Sequence, residues 1–207
     1  MITWLLTQPE TPAELLPYTP VEYLRSPNAQ YIDTGIYPDD STGLLTCYCA
    51  SSRNGQFNYP GGAMYNDGSA RFYGPGVTAN MGNASFGWNI SNALISGGIN
   101  PLVKSVTSLN FLNDRVASFD NGEISASLPL LEMLIPVNNT IHLFGVNRDG
   151  SNITNFDMRI YYAVISKGET IVRHFVPALD AGGIPCMWDK ISRTFFYNIG
   201  TGSFLVP

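Results

Sequence analysis

The chain has 207 residues, a length that suits one domain, and 44% of them are hydrophobic, enough to bury a sizeable core. Charged residues make up 13%, about half the roughly 25% of an average globular chain; Asn, Ser, Thr, Gly and Tyr fill the gap, and a surface so poor in charge suits a protein that assembles or meets neutral ligands such as sugars. The net charge of −5 and the scattering of the 11 Lys and Arg argue against a nucleic-acid partner, and no apolar run is long enough to span a membrane as a helix.

Residues 1–20 carry Pro9, Pro12, Pro17 and Pro20, a density that forbids a long helix and favours an extended arm. Its apolar tip is Ile2, Trp4, Leu5 and Leu6. Two readings of the tip stand side by side: it packs on its own domain, or it anchors the chain in a neighbouring subunit. The arm lacks the basic region and long apolar stretch of a signal peptide, so the chain is expected to be made and folded in a cytoplasm.

From residue 21 onward strand signals dominate. "VEYL" precedes a turn at Ser26–Asn28, and "QYIDTGI" alternates Tyr31, Asp33 and Gly35 with Ile32, Thr34 and Ile36. "TGLLTCYCA", Thr42–Ala50, is predicted to be a buried strand rich in β-formers. Residues 51–100 are dense in Gly and Asn and read as short strands joined by generous loops. Asp120-Asn121-Gly122 marks a tight turn, with "EISASL" returning as the hairpin partner of "RVASFD". "LPLLEMLIP", Leu128–Pro136, reads as a short helix or a buried loop. "TIHLFGVN" reads as one clean strand, and "NFDMRIYYAVIS" as another, followed by a turn at Lys167-Gly168-Glu169 and by "TIVRHFVPAL", a strand ending at its proline. With about a dozen short strands and no long helix, the pattern is that of an all-β sandwich or barrel.

Motifs for chemistry are sparse. Cys47 and Cys49 share a face of one strand, a geometry that disfavours a bridge, and Cys186 is remote, so all three are expected to be reduced core residues. His142 and His174 sit within strands and read as structural rather than as bases or zinc ligands. No pair of carboxylates shows the spacing of a glycosidase, and neither a nucleophile elbow nor a phosphate-binding loop occurs, so no catalytic residue is assigned. The loop Asn147–Asp157 concentrates oxygen ligands and is a minor candidate for calcium; a solvated Asn/Gly turn is the preferred reading, and no cofactor or metal is assigned. Sugar binding needs aromatic faces beside hydroxyl-bonding groups. The loop-rich middle supplies Tyr59, Tyr65, Phe72, Tyr73 and Trp88, with Asn58, Asn66, Asp67 and Arg71 nearby; Tyr65, Asp67, Arg71, Tyr73 and Trp88 are taken as the candidate ligand set.

Three segments together resemble a family of concanavalin A-like (LamG-like) jelly-roll domains found in phage virion proteins and in surface proteins of gut bacteria. They are "VEYLRSPNAQYIDTGIYP" (21–38), "IHLFGVN" (141–147) and "RIYYAVISKGETIVRHFVPALDAGGIPCMWDKISRTFFYNIGTGSF" (159–204). The chain departs from the family pattern at His174, where an acid is usual, and at Trp188, where Tyr is usual. The resemblance implies a jelly-roll β-sandwich over residues 21–207 behind the arm of residues 1–20. It makes the closing segment scaffold, with Asp189 and Asn198 expected to bond to backbone groups in turns. It also implies a non-enzymatic virion protein, a capsid decoration, head fibre or tail-associated adhesin. Such a protein would be located in the virion, homo-oligomeric, joined to other virion proteins through the arm and able to bind host or mucus glycans. The alternative is a carbohydrate-binding module of a bacterial surface protein.

Overall fold

The computed structural model of the chain describes residues 16–27, 29–50, 57–64, 71–78, 84–89, 91–95, 100, 102–110, 115–119, 124–128, 137–152 and 157–207. Among these residues every regular element is a strand. The first three are short: β1 (Thr19–Pro20), β2 (Leu24–Ser26) and β3 (Ile32–Asp33). β4 (Thr42–Ala50) has the bounds its β-branched and aromatic run predicts, and eight of its nine residues are buried. The Gly- and Asn-rich middle forms β5 (Phe57–Asn58), β6 (Gly61–Met64), β7 (Arg71–Thr78), β8 (Ala84–Asn89) and β9 (Ser91–Ile95). Next come β10 (Ser105–Asn110), then β11 (Arg115–Phe119) and β12 (Ile124–Leu128), paired antiparallel across the expected Asp-Asn-Gly turn position. β13 (His142–Leu143), β14 (Val146–Arg148) and β15 (Ser151–Asn152) are short, whereas β16 (Met158–Lys167) and β17 (Thr170–Leu179) have ten residues each. β18 (Pro185–Asp189) and β19 (Thr194–Phe196) close the chain. The candidate helix at Leu128–Pro136 lies outside the described residues beyond Leu128, which ends β12.

The strands form two sheets. One runs β12-β11-β10-β4-β16-β17-β18-β19, with β1 on β17 and β2 on β16; the other runs β15-β14-β6-β7-β8-β9, with β5 on β7 and β13 between β6 and β3. Leu24, Leu44, Tyr48, Ile160 and Phe175 of the first sheet meet Ile32, Leu143 and Phe144 of the second in one buried cluster. The domain is therefore an all-β sandwich, as the strand spacing predicts. Pairing of Thr42–Ala50 with Met158–Lys167 sets its centre, and a bulge between Ile160 and Tyr162 realigns β16 partway along. A smaller cluster lies on the opposite face of β17 and β18, where Ala178, Cys186 and Trp188 are buried with Tyr18, Val176 and Phe195 against them. Tyr18 stacks on Trp188 with 5.3 Å between ring centroids. The last residues of the proline-rich segment thus pack on their own sheet; Ile2, Trp4, Leu5 and Leu6 lie outside the described residues. Cys47, Cys49 and Cys186 are free and buried, as expected.

Two sequence expectations are corrected. "TIHLFGVN" is not one strand. It breaks at Phe144 (φ 67°) and Gly145 (φ 154°), so that β13 pairs antiparallel to β6 and β14 pairs parallel to it. The left-handed backbone of a bulky residue costs roughly 1–3 kcal/mol. Phe144 offsets it by burying its ring completely, 4.7 Å from the Phe204 ring, and by donating its N–H to the Pro60 carbonyl at 2.9 Å. The second correction concerns β17, which does not stop at Pro177 but continues to Leu179. Proline's fixed φ suits an extended strand, and the Pro177 carbonyl still accepts a hydrogen bond from Val21 N–H at 3.2 Å.

Candidate functional site

In the closing segment the Asp189 and Asn198 side chains are spent on the scaffold. Asp189 is fully buried; its carboxylate accepts the N–H groups of His174 (2.7 Å), Ile191 (3.2 Å) and Ser192 (3.1 Å), and the Ser192 hydroxyl (2.6 Å). Burial pushes its pKa up, but these bonds together outweigh burial and hold it below the usual carboxylate value. Arg173 stands 3.6 Å away. Asn198 accepts the N–H groups of Tyr31 and Gly200 and donates to the carbonyls of Gly200 and Gly202. Both residues do what the turn reading expects.

Of the ligand set read from sequence, Tyr65 and Asp67 lie outside the described residues. Arg71 and Tyr73 are on β7, in register with Asn89 and Gly87, while Trp88 of β8 is in register with Phe72. Strand positions alternate between the faces of a sheet, so positions 71 and 73 share one face and position 88 belongs to the other. Of the calcium candidate loop, residues 147–152 and Asp157 are described. Arg148 pairs with Ser151 across Asp149 (φ 50°) and Gly150 (φ 80°), an Asp-Gly hairpin turn with both central residues left-handed. Asn147 Oδ1 caps it, accepting Gly150 N–H at 2.8 Å. Asp157, at the far end of that loop, is engaged by Arg25 through two bonds of 2.7 and 2.6 Å.

A surface cleft of about 240 Å³ opens beside that hairpin, where the chain breaks between β13 and β14. Four separate segments build it: Tyr31–Tyr37 around β3, Asn138–His142, the Asn147–Gly150 turn, and Ile199. Each is placed by a specific contact. Ile199 N–H donates to the Tyr31 carbonyl at 3.0 Å, which ties the last loop to β3. Ile141 N–H donates to the Ile36 carbonyl (2.8 Å), and Thr34 bonds back to the Ile141 carbonyl through its hydroxyl (2.7 Å) and its N–H (3.0 Å). Asn139 Nδ2 donates to the Met64 carbonyl at 2.6 Å. Asn147 Nδ2 donates to the Thr140 carbonyl at 2.9 Å, so the hairpin turn is held against the 138–142 segment. Gly61 lets β6 approach this wall, since a Cβ there would come within 2.9 Å of the His142 carbonyl.

His142 is 2% exposed and forms part of the cleft wall, its ring stacked on Tyr31 at 4.5 Å and 20°. Burial pushes its pKa down, more than Asp33 and the Asn152 amide pull it up, so the imidazole is neutral at pH 7 and is held as a structural residue. The open groups are nearer the mouth. Tyr37 is 60% exposed. Asn138 is exposed and its amide makes no hydrogen bond among the described residues. Asp33 Oδ1 accepts Gly35 N–H at 2.9 Å, in an Asx turn that Gly35 (φ 69°) permits. Its Oδ2 has no hydrogen-bond donor among the described residues. The cleft thus offers an aromatic face, an amide and a half-used carboxylate. Tyr31 and Asp33 alternate onto one strand face in the sequence, but nothing there marks them as a site, because Tyr37, Asn138 and Ile199 join them only through the fold. Among the described residues no three His, Cys, Asp or Glu side chains gather as a metal site would require.

Neither a protein-family model nor a curated protein sequence matches the chain. Among solved structures, the Ruminococcus gnavus IT-sialidase CBM40, a carbohydrate-binding module, is similar: TM-score 0.55 and 15% identity, covering 70% of this chain and 89% of that one. At that identity the likeness shows the fold, a jelly-roll β-sandwich.

Proposed function

We propose that the domain is a non-catalytic carbohydrate-binding module that takes its ligand in the cleft between Tyr31 and Asn138. The observation that carries this reading is the set of uncommitted groups at the cleft mouth. Tyr37 offers a ring for stacking against the apolar face of a sugar, and the Asn138 amide and Asp33 Oδ2 can bond hydroxyls. In the closing segment, by contrast, the Asp189 carboxylate and the Asn198 amide are used internally. The sandwich shared with a carbohydrate-binding module supports the reading. Among the described residues Asp33 is the one carboxylate in the cleft lining, whereas hydrolysis of a glycosidic bond takes a pair, which supports binding without cleavage as part of the proposal.

The virion role expected from the sequence gains no support from the comparisons, and the anchor residues that would serve it lie outside the described residues. A glycan array probed with the purified chain tests the binding reading. Binding is expected, with loss of signal in a Tyr37→Ala, Asn138→Ala double variant that keeps the wild-type circular dichroism. A folded protein that binds no glycan, or a double variant that binds as well as wild type, would overturn the reading.

A further inference from the structure

We infer that the cleft selects the terminal unit of a neutral glycan and rejects carboxylated sugars. The inference rests on the binding reading above and adds the class of ligand. Size is the first argument. The volume of about 240 Å³ falls below the roughly 300–1,000 Å³ of sites that enclose drug-sized ligands. It suits a single ring entering from the mouth and not a run of several units.

Charge is the second argument. Among the described residues Asp33 is the charged side chain in the lining, and its free Oδ2 accepts hydrogen bonds but cannot donate them. Vicinal sugar hydroxyls supply donors to it; a sugar carboxylate would face it as a like charge. The surrounding charges reinforce the choice. Asp149 lies behind the wall, its Oδ1 3.5 Å from Asn139 Nδ2. Lys167 reaches the Tyr37 carbonyl at 2.7 Å, but its ammonium is held by Asp39 at 2.7 Å and by the Thr42 hydroxyl at 2.7 Å. Arg173 is directed to the Thr34 carbonyl and to Asp189. Arg148, in the neighbouring hairpin, is not part of the lining. His142 adds no cation at neutral pH, because its burial keeps the ring uncharged. A carboxylated ligand would therefore lose water without gaining a cationic partner and would face Asp33 as a like charge, the arrangement that gives an interface its specificity against the wrong ligand.

The test is titration of the ¹⁵N-labelled chain with neutral oligosaccharides ending in galactose, glucose or mannose, and with the same oligosaccharides capped by sialic acid or glucuronate. Shifts are followed at Tyr37, Asn138 and Gly150. Saturable shifts with neutral termini, lost on acidic capping, are expected. Asp33→Asn keeps the acceptor for Gly35 N–H and should weaken neutral binding about tenfold, since a charge-assisted bond is lost, while narrowing the gap to acidic ligands. Asn138→Lys, at an exposed site, is a second variant independent of β3, and should admit the acidic ligands. If capped and uncapped ligands bind the cleft equally, or if internal chain segments bind better than terminal units, the inference falls while the binding reading stands. If no glycan moves any resonance of the folded protein, both fall.

Discussion

The closing segment and the cleft use the same residue types to opposite ends. Asp189 accepts four hydrogen bonds from inside the domain, and Asn198 makes bonds at both ends of its amide. In the cleft, Asp33 accepts one and Asn138 makes none among the described residues. The aromatics divide in the same way: Trp188 is packed between Tyr18 and Phe195, whereas Tyr37 is largely exposed. Residue type therefore does not mark a binding group; the number of its bonding positions already filled does. A side chain saturated by backbone groups holds a turn, and one left with open positions can meet a ligand.

The contrast can be broken most severely at Asp189. Asp189→Ala strips three part-buried N–H groups and Arg173 of the fully buried carboxylate they share and should cost about 3–5 kcal/mol, read as a lower urea midpoint with an unchanged slope. Gly200→Ala should come next, at about 1–3 kcal/mol, because a Cβ there would collide with the Ala29 carbonyl. It would part the last loop from β3 and so loosen the Tyr31 wall of the cleft. Smaller again are the titrations. Burial lowers the pKa of both His142 and His174, with Lys190 adding to the effect at His174. Their folded values lie below the unfolded value of about 6.5, so the stability they contribute is complete above that pH and is lost as the pH falls through the folded values. Asp39 follows in more acid solution. Burial pushes its carboxyl up, but Lys167, Ser41 and Thr42 pull it down to about 2, so its contribution is lost as the pH falls from its usual value of 3.8 towards 2. Urea midpoints at pH 7, 5 and 3 should fall in two steps, and His142→Phe should shrink the first. At the bottom of the scale, Tyr37→Ala and Asn138→Ala should change stability by no more than about 0.5 kcal/mol. A larger loss in either, measured by the same urea series, would place that residue with the scaffold.

Much of the sandwich is legible in the sequence because local signals and tertiary pairing agree. The run Thr42–Ala50 is a strand from end to end, Gly168 (φ 57°) turns β16 into β17, and Asp189 and Asn198 sit in the turns their side chains favour. The break at Phe144 is not legible. A phenylalanine carries no preference for a left-handed backbone, and what holds it there is remote: Pro60, Asn152 and Phe204. The cleft escapes for a related reason. Tyr31, Asn138, Gly150 and Ile199 each belong to an ordinary loop or short strand, and only long-range pairing brings them together. Aromatic and polar residues close along the chain mark another place, Tyr65, Asp67, Arg71, Tyr73 and Trp88.

Arg25 and Leu205 exchange hydrogen bonds of 2.8 and 2.9 Å. The second strand of the sandwich, β2, and Leu205 near the last residue are therefore neighbours, running antiparallel. A linker from the last residues back to the segment ahead of β1 could close the chain, and the chain could be reopened at the Gly168–Glu169 hairpin with β1 to β19 intact. Such a circular permutant should fold to the same sandwich, and a second domain spliced in at that seam would sit on the sandwich like a bead on a single stalk.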